Sequence, residues 1–491
     1  MNLENSKEST IILFGATGDL AVRKLYPALY QLYKKQNDVE RFAVIGLGRR
    51  KYDHDTYRNM VKNSVKTDDA SIDDFLSRFF FYSLDVDNIE GYVGLGALAD
   101  KVDTDFNLSG NRIFYLALAP NFFGTVTNNL KDSGLTNTKG WKRLVIEKPF
   151  GHNLSSAKVL NEQIRSAFAE EEIYRIDHYL GKEMVQNIQV IRFANPLFES
   201  IWNNRYISNI QITSSETLGV GERAGYYDRS GALMDMVQNH MLQMVALTAM
   251  EPPSRLETED IRDEKVKVLR SIRPVTSESV KDDIIRAQYT SGVLADGQTV
   301  RSYLDEENID SQSQTETFVG AKLYIDNFRW AGVPFYIRTG KRMGVKSTQI
   351  VIQFKDAPLN PYLDQQPNLL VIHVQPDEGL SLKLNAKKIG ESQETMPIHL
   401  DFCHNCTNDL GTSDAYERLI HDCIRGDSTN FTRWDEVALS WTYVDSIAQA
   451  WKDGYGPLEY YESGTMGPKS VDDLLAKNGF HWWPITNVEH N

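Results

Sequence analysis

The segment Thr10-Ile-Ile-Leu-Phe14 and the six residues after it, Gly15-Ala-Thr-Gly-Asp-Leu20, decide the fold of the first part of the chain. The apolar run is typical of a buried strand, and the glycines predict a tight turn into a helix. Glycine lets the backbone approach a pyrophosphate closely, and the helix start presents unpaired N–H groups to the anion. The pattern is G-x-x-G-x-x-A instead of G-x-G-x-x-G, and a glycine turn between any strand and helix can look the same.

Further strands favour a nucleotide-binding interpretation of that turn. Residues 41–46 form a second apolar strand after a helix that runs through Tyr33, and residues 112–118 and 143–147 continue the alternation. Strands that alternate with helices predict a parallel sheet covered on its faces. We therefore predict an α/β fold for residues 1–177, a Rossmann-type domain that binds a dinucleotide.

The residues after the second predicted strand bear on the choice of cofactor. NAD-binding enzymes usually place an Asp or Glu there to accept from the ribose hydroxyls, but the chain reads Gly46-Leu-Gly-Arg-Arg50. Arg49 or Arg50 could pair with the additional phosphate of NADP, although a pair of exposed loop arginines is also common. We predict NADP as the cofactor, with NAD still possible.

Lys148 lies at the end of another predicted strand, in Val145-Ile-Glu-Lys-Pro-Phe-Gly151. In doubly wound sheets, ligands bind in the crevice at the carboxyl ends of the strands. Lys148 is therefore a candidate for contact with a bound ligand. The Glu-Lys-Pro motif also occurs in several sugar-oxidising Rossmann families, so by itself it indicates a broad class and no single substrate.

The stretch Arg175-Ile-Asp-His-Tyr-Leu-Gly-Lys-Glu183 combines two cations, two acids, a histidine and a phenol around one predicted turn. Such a cluster suits a small anionic substrate, because Lys182 supplies a compact, mobile charge that attracts a phosphate. A carboxylate such as Asp177 can orient an imidazole and stabilise its protonated form. The alternative from composition alone is a solvated, charged helix start with Asp177 as its cap.

A second histidine, His240, lies in an apolar segment that predicts a helix over residues 230–250. Asp235 is five residues away and would lie on a different face of an α-helix, so a carboxylate partner should come from elsewhere. The alternative is a core histidine that is satisfied by the backbone or by a neighbouring amide.

The nine residues from Arg175 to Glu183 resemble the active-site signature of the glucose-6-phosphate dehydrogenases, and the resemblance runs from Gly15 to the turn Ser463-Gly-Thr-Met-Gly-Pro468. It implies an enzyme that oxidises D-glucose 6-phosphate to 6-phosphogluconolactone with hydride transfer to NADP, the first step of the oxidative pentose phosphate pathway. Two alternatives are another sugar oxidoreductase that shares Glu-Lys-Pro, which would not require the phosphate cluster, and a nonenzymatic NADP sensor.

The resemblance also implies roles for individual residues, including a cis bond before Pro149. His240 would be the catalytic base, oriented by Asp177. Substrate contacts are expected from Lys148, His178, Tyr179, Lys182, Glu216, Asp235, Lys341 and Lys346. Cofactor contacts are expected from Gly15, Thr17, Gly18, Asp19, Leu20, Arg49, Arg50 and Lys148. For the acids among them a strand-end or helix-cap role, and for Lys346 an exposed basic turn, are the alternatives.

The second part of the chain predicts a different architecture. Short alternating segments typical of antiparallel strands occur at 207–213, 284–289, 321–325, 348–354, 369–374 and 380–384. Helical patterns at 230–250, 414–425 and 434–451 would cover one face of the sheet. We predict an α+β domain over 178–491 with a large, mainly antiparallel sheet. The resemblance implies that two subunits pack on the other face as a homodimer.

Composition excludes several classes of function. The 53 basic and 67 acidic residues give 53 − 67 = −14, which disfavours nonspecific binding to nucleic acid. The first ten residues lack the apolar core of a signal peptide, and no apolar run approaches bilayer length, so we predict a cytoplasmic protein without a membrane partner. The three cysteines are expected to be ordinary thiols. Cys403-His404-Asn405-Cys406 has no second C-x-x-C, and no metal is expected.

Overall fold

The computed structural model describes residues 8–35, 41–67, 69–294, 296–359, 361–390, 393–404 and 414–485. The chain divides into two compact units. Unit 1 contains Met1–Gly181, Leu256–Arg262 and Ser413–Ala438, and unit 2 contains Lys182–Arg255, Asp263–Thr412 and Leu439–Asn491. The division into 1–177 and 178–491 stays a prediction. Among the described residues, no helix is long and apolar enough to cross a membrane.

Capping side chains precede some of the helices, among them α2 and α13. In the described residues the α-helices are α1 Tyr26–Lys35, α2 His54–Val65, α3 Ile72–Ser77, α4 Glu90–Asp105, α5 Phe123–Asp132, α6 Leu154–Arg165, α7 Glu183–Phe193, α8 Pro196–Glu199, α9 Ala224–Ala232, α10 Leu242–Ala249, α11 Thr258–Ser271, α12 Ser277–Asp283, α13 Ala415–Arg425, α14 Trp434–Lys452 and α15 Lys469–Ala476. Asp53 caps α2 by accepting from the Thr56 N–H at 2.8 Å. Asp414 caps α13 in the same way through the Tyr416 N–H, 2.9 Å away.

Unit 1 is built on a parallel sheet. Its strands are β1 Ser9–Phe14, β2 Phe42–Gly48, β3 Phe79–Ser83, β4 Arg112–Leu116, β5 Lys142–Ile146 and β6 Ile173–Arg175, in the order β3-β2-β1-β4-β5-β6. The apolar side chains of β1 pack with those of α1 and α13, among them Leu29 and Leu419. The order reverses between β1 and β4, which is where doubly wound sheets bind nucleotides. The predicted Rossmann-type architecture is confirmed.

Unit 2 is built on a nine-stranded sheet of order β16-β15-β14-β13-β7-β12-β11-β8-β17. The strands of unit 2 are β7 Ile207–Ser215, β8 Ile284–Thr290, β9 Gly292–Val293, β10 Thr299–Val300, β11 Phe318–Tyr324, β12 Pro334–Gly340, β13 Ser347–Phe354, β14 Leu369–Gln375, β15 Gly379–Lys387, β16 Thr395–Cys403 and β17 Leu458–Glu462. β9 and β10 form a separate pair. Within the large sheet, β12 pairs in parallel with β7 and β17 pairs in parallel with β8, while the other neighbours are antiparallel. The predicted large, mainly antiparallel sheet is confirmed.

The cysteines do not all behave as expected. Cys423 is a free thiol buried in α13, as predicted for a small apolar side chain in that helix. Cys403 is disulfide-bonded, so the prediction of an ordinary thiol is wrong there. A count of three cysteines and an assumed reducing compartment do not determine the state of an individual cysteine. Cys406 lies outside the described residues.

Candidate active site

The turn after β1 has the backbone that the sequence predicts. Gly15 has φ +80°, and a Cβ atom there would lie 2.2 Å from the carbonyl oxygen of Ala117, so only glycine fits where the chain passes the end of β4. The Gly18 N–H donates to the Gly15 carbonyl at 2.9 Å. Thr17 and Leu20 are half-buried, while Gly18 and Asp19 are exposed. These residues lie at the carboxyl edge of the parallel sheet.

Two buried tyrosines that the sequence analysis missed support this turn. The Tyr26 hydroxyl donates to the carbonyl of Ala16 at 2.5 Å and lies 2.9 Å from the Tyr57 hydroxyl. Burial raises the pKa of Tyr26 well above its ordinary value, so its hydroxyl stays a donor. The helix that follows the turn starts as a π-helix, Ala21–Leu25, before α1.

Arg49 and Arg50 are exposed after β2. The Arg50 guanidinium reaches the Tyr52 hydroxyl at 3.1 Å. The first carboxylate beyond the arginines, Asp53, caps α2. The glycine turn and the two arginines therefore fit a dinucleotide with an additional phosphate.

Lys148 follows β5 and is half-buried at the same edge of the sheet. The bond between Lys148 and Pro149 is cis, as the resemblance implies. Beside it, the Tyr115 hydroxyl donates to Glu147 Oε1 at 2.7 Å. Burial raises the pKa of Glu147 to about 7, although the hydroxyls of Tyr115 and Tyr416 and the charge of Lys148 act in the other direction.

Asp177, His178 and Tyr179 form a turn after β6. Asp177 is buried, and its Oδ1 accepts from the Tyr179 N–H at 3.0 Å. The rings of His178 and Tyr179 meet edge to face, with centroids 5.1 Å apart. The helix cap considered for Asp177 is wrong, because α7 begins only at Glu183 and its N-cap is Lys182.

The first cation of the signature has a structural role. Arg175 is buried and donates to both carboxylate oxygens of Glu170, at 2.5 and 3.0 Å, and to Asn161 Oδ1 at 2.7 Å. Of the two signature cations, Lys182 is the half-buried one.

In unit 2 the Lys182 ammonium donates to Gln375 Oε1. The Gln375 amide in turn donates to Thr348 Oγ1 at 3.0 Å, and that hydroxyl lies 3.1 Å from the Ser214 hydroxyl. The sequence analysis missed Gln375, whose only local signal is a polar residue at the end of an apolar strand, β14. Side chains of the sheet thus fix the position of the Lys182 ammonium.

Glu216 and Lys341 are brought together by two parallel neighbours, β7 and β12, which end at the same edge. Their side chains form an ion pair, and the Lys341 ammonium lies 5.5 Å from the centroid of the Tyr227 ring. The backbone locks the two turns, since the Glu216 N–H donates to Gly340 at 3.0 Å. Lys346 is exposed a few residues further on.

The histidine of unit 2 lies on an unusual helix. The segment Leu233–Met241 is a π-helix between α9 and α10. π-Helical turns are rare in proteins, and many of those that occur lie at functional sites. His240 has 0% of its surface exposed, whereas Asp235 is half-buried. The expectation that these two lie on different faces assumed an α-helix, whereas the segment that carries both residues is a π-helix, whose hydrogen bonds run from i to i+5.

The fold and these residues define a class. A Rossmann-type unit with a glycine turn, in one chain with a unit that carries acids, lysines and a buried histidine, indicates a nicotinamide-dependent oxidoreductase.

The comparisons with known proteins give the family. The chain matches the models "Glucose-6-phosphate dehydrogenase, NAD binding domain" over residues 12–187 and "Glucose-6-phosphate dehydrogenase, C-terminal domain" over residues 189–483. It is 58% identical to the glucose-6-phosphate 1-dehydrogenase of Bacillus subtilis, over 99% of this chain and 100% of that protein. The enzyme of Leuconostoc mesenteroides is 42% identical, over 97% and 98% of the two chains.

A solved structure described as glucose-6-phosphate dehydrogenase in complex with its substrate glucose-6-phosphate has a TM-score of 0.90 at 36% identity, covering 97% of this chain and 98% of that one. The chain therefore belongs to the glucose-6-phosphate dehydrogenase family. It is an oxidoreductase with NADP as its cofactor, and the predicted family, fold, enzyme class and function are confirmed.

Proposed function

We propose that D-glucose 6-phosphate is oxidised at its anomeric carbon with His240 as the base and Asp177 as the carboxylate that orients it. The observation that carries this proposal is a completely buried histidine on a π-helix whose neighbours Val237 and Met241 are apolar. A buried imidazole is stable where its ring nitrogens have hydrogen-bond partners, and in this proposal the carboxylate of Asp177 is one of them.

The proposed step moves one proton and one hydride. His240 takes the proton of the anomeric hydroxyl, and the electron pair of that O–H bond forms the carbonyl of the lactone as the C1–H bond breaks. NADP, when bound, supplies the hydride acceptor. Asp177 stabilises the imidazolium that results. A positioned general base typically contributes a rate factor of about a hundred to ten thousand.

We assign the substrate phosphate to His178 and Lys182, with Tyr179 beside them and Lys346 adding positive charge. The sugar hydroxyls are assigned to Glu216, Asp235 and Lys341. Support comes from the ion pair of Glu216 with Lys341, which places an acceptor and a donor at one sheet edge. Lys182 is also oriented in advance, because Gln375 accepts from its ammonium.

The cofactor is assigned to the edge of the parallel sheet. Gly15, Thr17, Gly18, Asp19 and Leu20 would hold the pyrophosphate against the helix start. Arg49 and Arg50 would bind the additional phosphate of NADP. Lys148 would contact both cofactor and substrate.

The first test is the initial rate of near-ultraviolet absorbance gain with glucose 6-phosphate, using NADP and then NAD, with glucose as the control. We expect rapid reduction that depends on the phosphate. The variant Arg49→Gln/Arg50→Gln should raise the KM for NADP and leave that for NAD unchanged, while Arg58→Gln on α2 should change neither. An equal effect on both cofactors would overturn the assignment of the arginines.

We also propose that the chain forms a homodimer and works in the cytoplasm, where its phosphorylated substrate and cofactor occur. Support for the dimer is an apolar patch on one face of β15 and β16. Its members, paired across the two strands, are Leu380 with Phe402, Leu382 with Leu400, Leu384 with Ile398 and Ala386 with Met396. Leu400 is 56% exposed and Phe402 is 52% exposed. Monomers rarely expose a contiguous apolar surface of this kind.

A further inference from the structure

The helix that carries His240 begins at a sharp break in the chain. Gly231, the second-last residue of α9, has φ 61° and ψ −179°, two residues before the π-helix Leu233–Met241 begins. At such a start the first N–H groups have no partner within the helix. Glu316, just before β11, supplies two acceptors there. Its Oε1 accepts from the Leu233 N–H at 2.9 Å, and its main-chain carbonyl accepts from the Ala232 N–H at 3.0 Å.

Glu316 and the break fit each other closely. A Cβ atom at Gly231 would lie 2.2 Å from Glu316 Oε1, so the carboxylate fills the space that a side chain would take. Glu316 is 7% exposed. Charged or titratable groups from the neighbouring elements are Arg286 of β8 and Tyr227 of α9. Burial raises the pKa of Glu316 to about 7, while the Leu233 N–H and Arg286 act in the other direction.

We propose that Glu316 is a positioning residue for the reaction, because it fixes the start of the π-helix that carries Asp235 and His240. This inference rests on the proposed roles of those two residues. A helix held at its first N–H groups cannot rotate or slide by one hydrogen bond without losing both acceptors. A misplacement of about 1 Å can lower a rate a hundredfold, and His240 lies only seven residues beyond Leu233.

The test compares Glu316→Ala with Glu316→Gln. The amide oxygen of glutamine still accepts from the Leu233 N–H, so Glu316→Gln should keep kcat within about twofold, whereas Glu316→Ala should lower it by tenfold or more. With substrate deuterated at C1, the isotope effect on kcat should rise for the alanine variant only, since a misplaced base makes the chemical step slower. Activities are measured well below each Tm.

A matched control lies at the far end of the same helical segment. Glu199 accepts from Arg192, whose guanidinium donates to the carbonyls of Leu247 and Thr248 at the end of α10, each at 3.2 Å. Glu199→Ala should lower Tm without changing kcat or the isotope effect. The proposal is overturned if Glu316→Ala lowers only Tm, or if Glu316→Gln loses as much turnover as Glu316→Ala.

The variant His240→Asn separates this inference from the proposed base. If Glu316 acts through His240, adding Glu316→Ala to His240→Asn should cause little further loss. A full, multiplied loss in the double variant would overturn that route. Should His240→Asn turn over normally, the base assignment fails, and Glu316 is then judged by the alanine and glutamine variants alone.

Discussion

His240 is a buried polar side chain, and its removal should lower turnover without weakening substrate binding. We predict that His240→Asn lowers kcat by about a hundred- to ten-thousandfold, because the variant lacks the proposed base for the anomeric proton. The KM for glucose 6-phosphate should stay near the original value. Steady-state rates over a range of substrate concentrations test this.

His373 offers the matched control for that variant. It is also a buried histidine of unit 2, and its Nε2 lies 3.0 Å from the Ser381 hydroxyl. His373→Asn should keep kcat. Intact turnover in His240→Asn would sink the base assignment, and an equal loss in both variants would point to damage to the fold.

Lys182 should affect binding more than turnover. A charge-assisted hydrogen bond is worth about 1.5–3 kcal/mol, so Lys182→Ala should raise the KM for glucose 6-phosphate by about ten- to a hundredfold. The rate with unphosphorylated glucose should not change, because that substrate lacks the anion. Lys267→Ala, which removes an exposed lysine paired with Glu264, is the control. Equal damage with glucose would contradict the phosphate role.

Glu316 predicts a pH dependence of stability. Burial raises its pKa from 4.5 to about 7, so the folded chain holds the proton more tightly than the unfolded chain. The stability that this carboxyl contributes is complete below pH 4.5 and is lost as the pH rises through 7. A difference of 7 − 4.5 = 2.5 units corresponds to about 3 kcal/mol at most.

Glu316→Gln has no titrating group at this position. Its free energy of unfolding, relative to that of the unsubstituted protein, should therefore increase as the pH rises from 5 to 8. Urea unfolding of both proteins at several pH values measures the difference. A difference that is constant with pH would mean that the pKa of Glu316 is ordinary.

Single residues differ in how far the sequence reveals them. Lys182 and Asp177 lie in one short sequence motif, so the local sequence is enough to identify them as candidates. Gln375 contacts Lys182 and Glu316 contacts the start of the π-helix. Both lie far along the chain from these partners, and each is one polar residue at or near the end of an apolar strand. Only the pairing of β7, β11, β13 and β14 brings them into place, and no local pattern encodes that pairing.

At the scale of elements, the helix predicted over 230–250 shows what periodicity can and cannot resolve. Its extent is close to the combined range of the π-helix and α10. Most side chains of this segment are buried, so apolar residues occur on nearly all sides of the helix. The spacing of apolar residues therefore does not distinguish an α-helix of 3.6 residues per turn from a wider π-helix. The break at Gly231 was not predicted, since a glycine in a helical pattern is often tolerated.

Gly231 should therefore be intolerant of a side chain. Its φ of 61° is strained for alanine, and the added Cβ atom would lie 2.2 Å from Glu316 Oε1. We predict that Gly231→Ala lowers the free energy of unfolding by at least about 1–3 kcal/mol and also lowers kcat. Thermal unfolding and steady-state rates measure the two effects.

Gly225 provides the comparison within the same helix, α9. It has an ordinary φ, and nothing lies within 4 Å of a Cβ atom placed there. Gly225→Ala should be neutral or stabilise by about 0.5–1 kcal/mol. If both variants behave alike, the break at Gly231 has no special requirement for glycine.

At the scale of the whole molecule, strand existence was more predictable than strand order. The alternating patterns at 207–213 and 348–354 fall within β7 and β13, but the parallel pairing of β12 with β7 was not predicted. Alternation shows which face of a strand is buried and leaves the choice of neighbour open. The alternating sequence patterns also do not explain why apolar side chains are exposed on one face of β15 and β16.

That face leads to the last prediction. Leu400 lies in the apolar patch opposite Leu382, and a charge at this position would have to be desolvated if a second copy packs there. Leu400→Asp should therefore weaken the dimer by a hundredfold or more, equivalent to about 2.7 kcal/mol, with unchanged circular dichroism. Sedimentation velocity at several protein concentrations measures the shift from dimer to monomer. Val93→Asp, which alters a 68% exposed residue of α4, should leave the dimer intact. A monomeric original protein, or a Leu400→Asp protein that stays dimeric, would show that this face is not the interface.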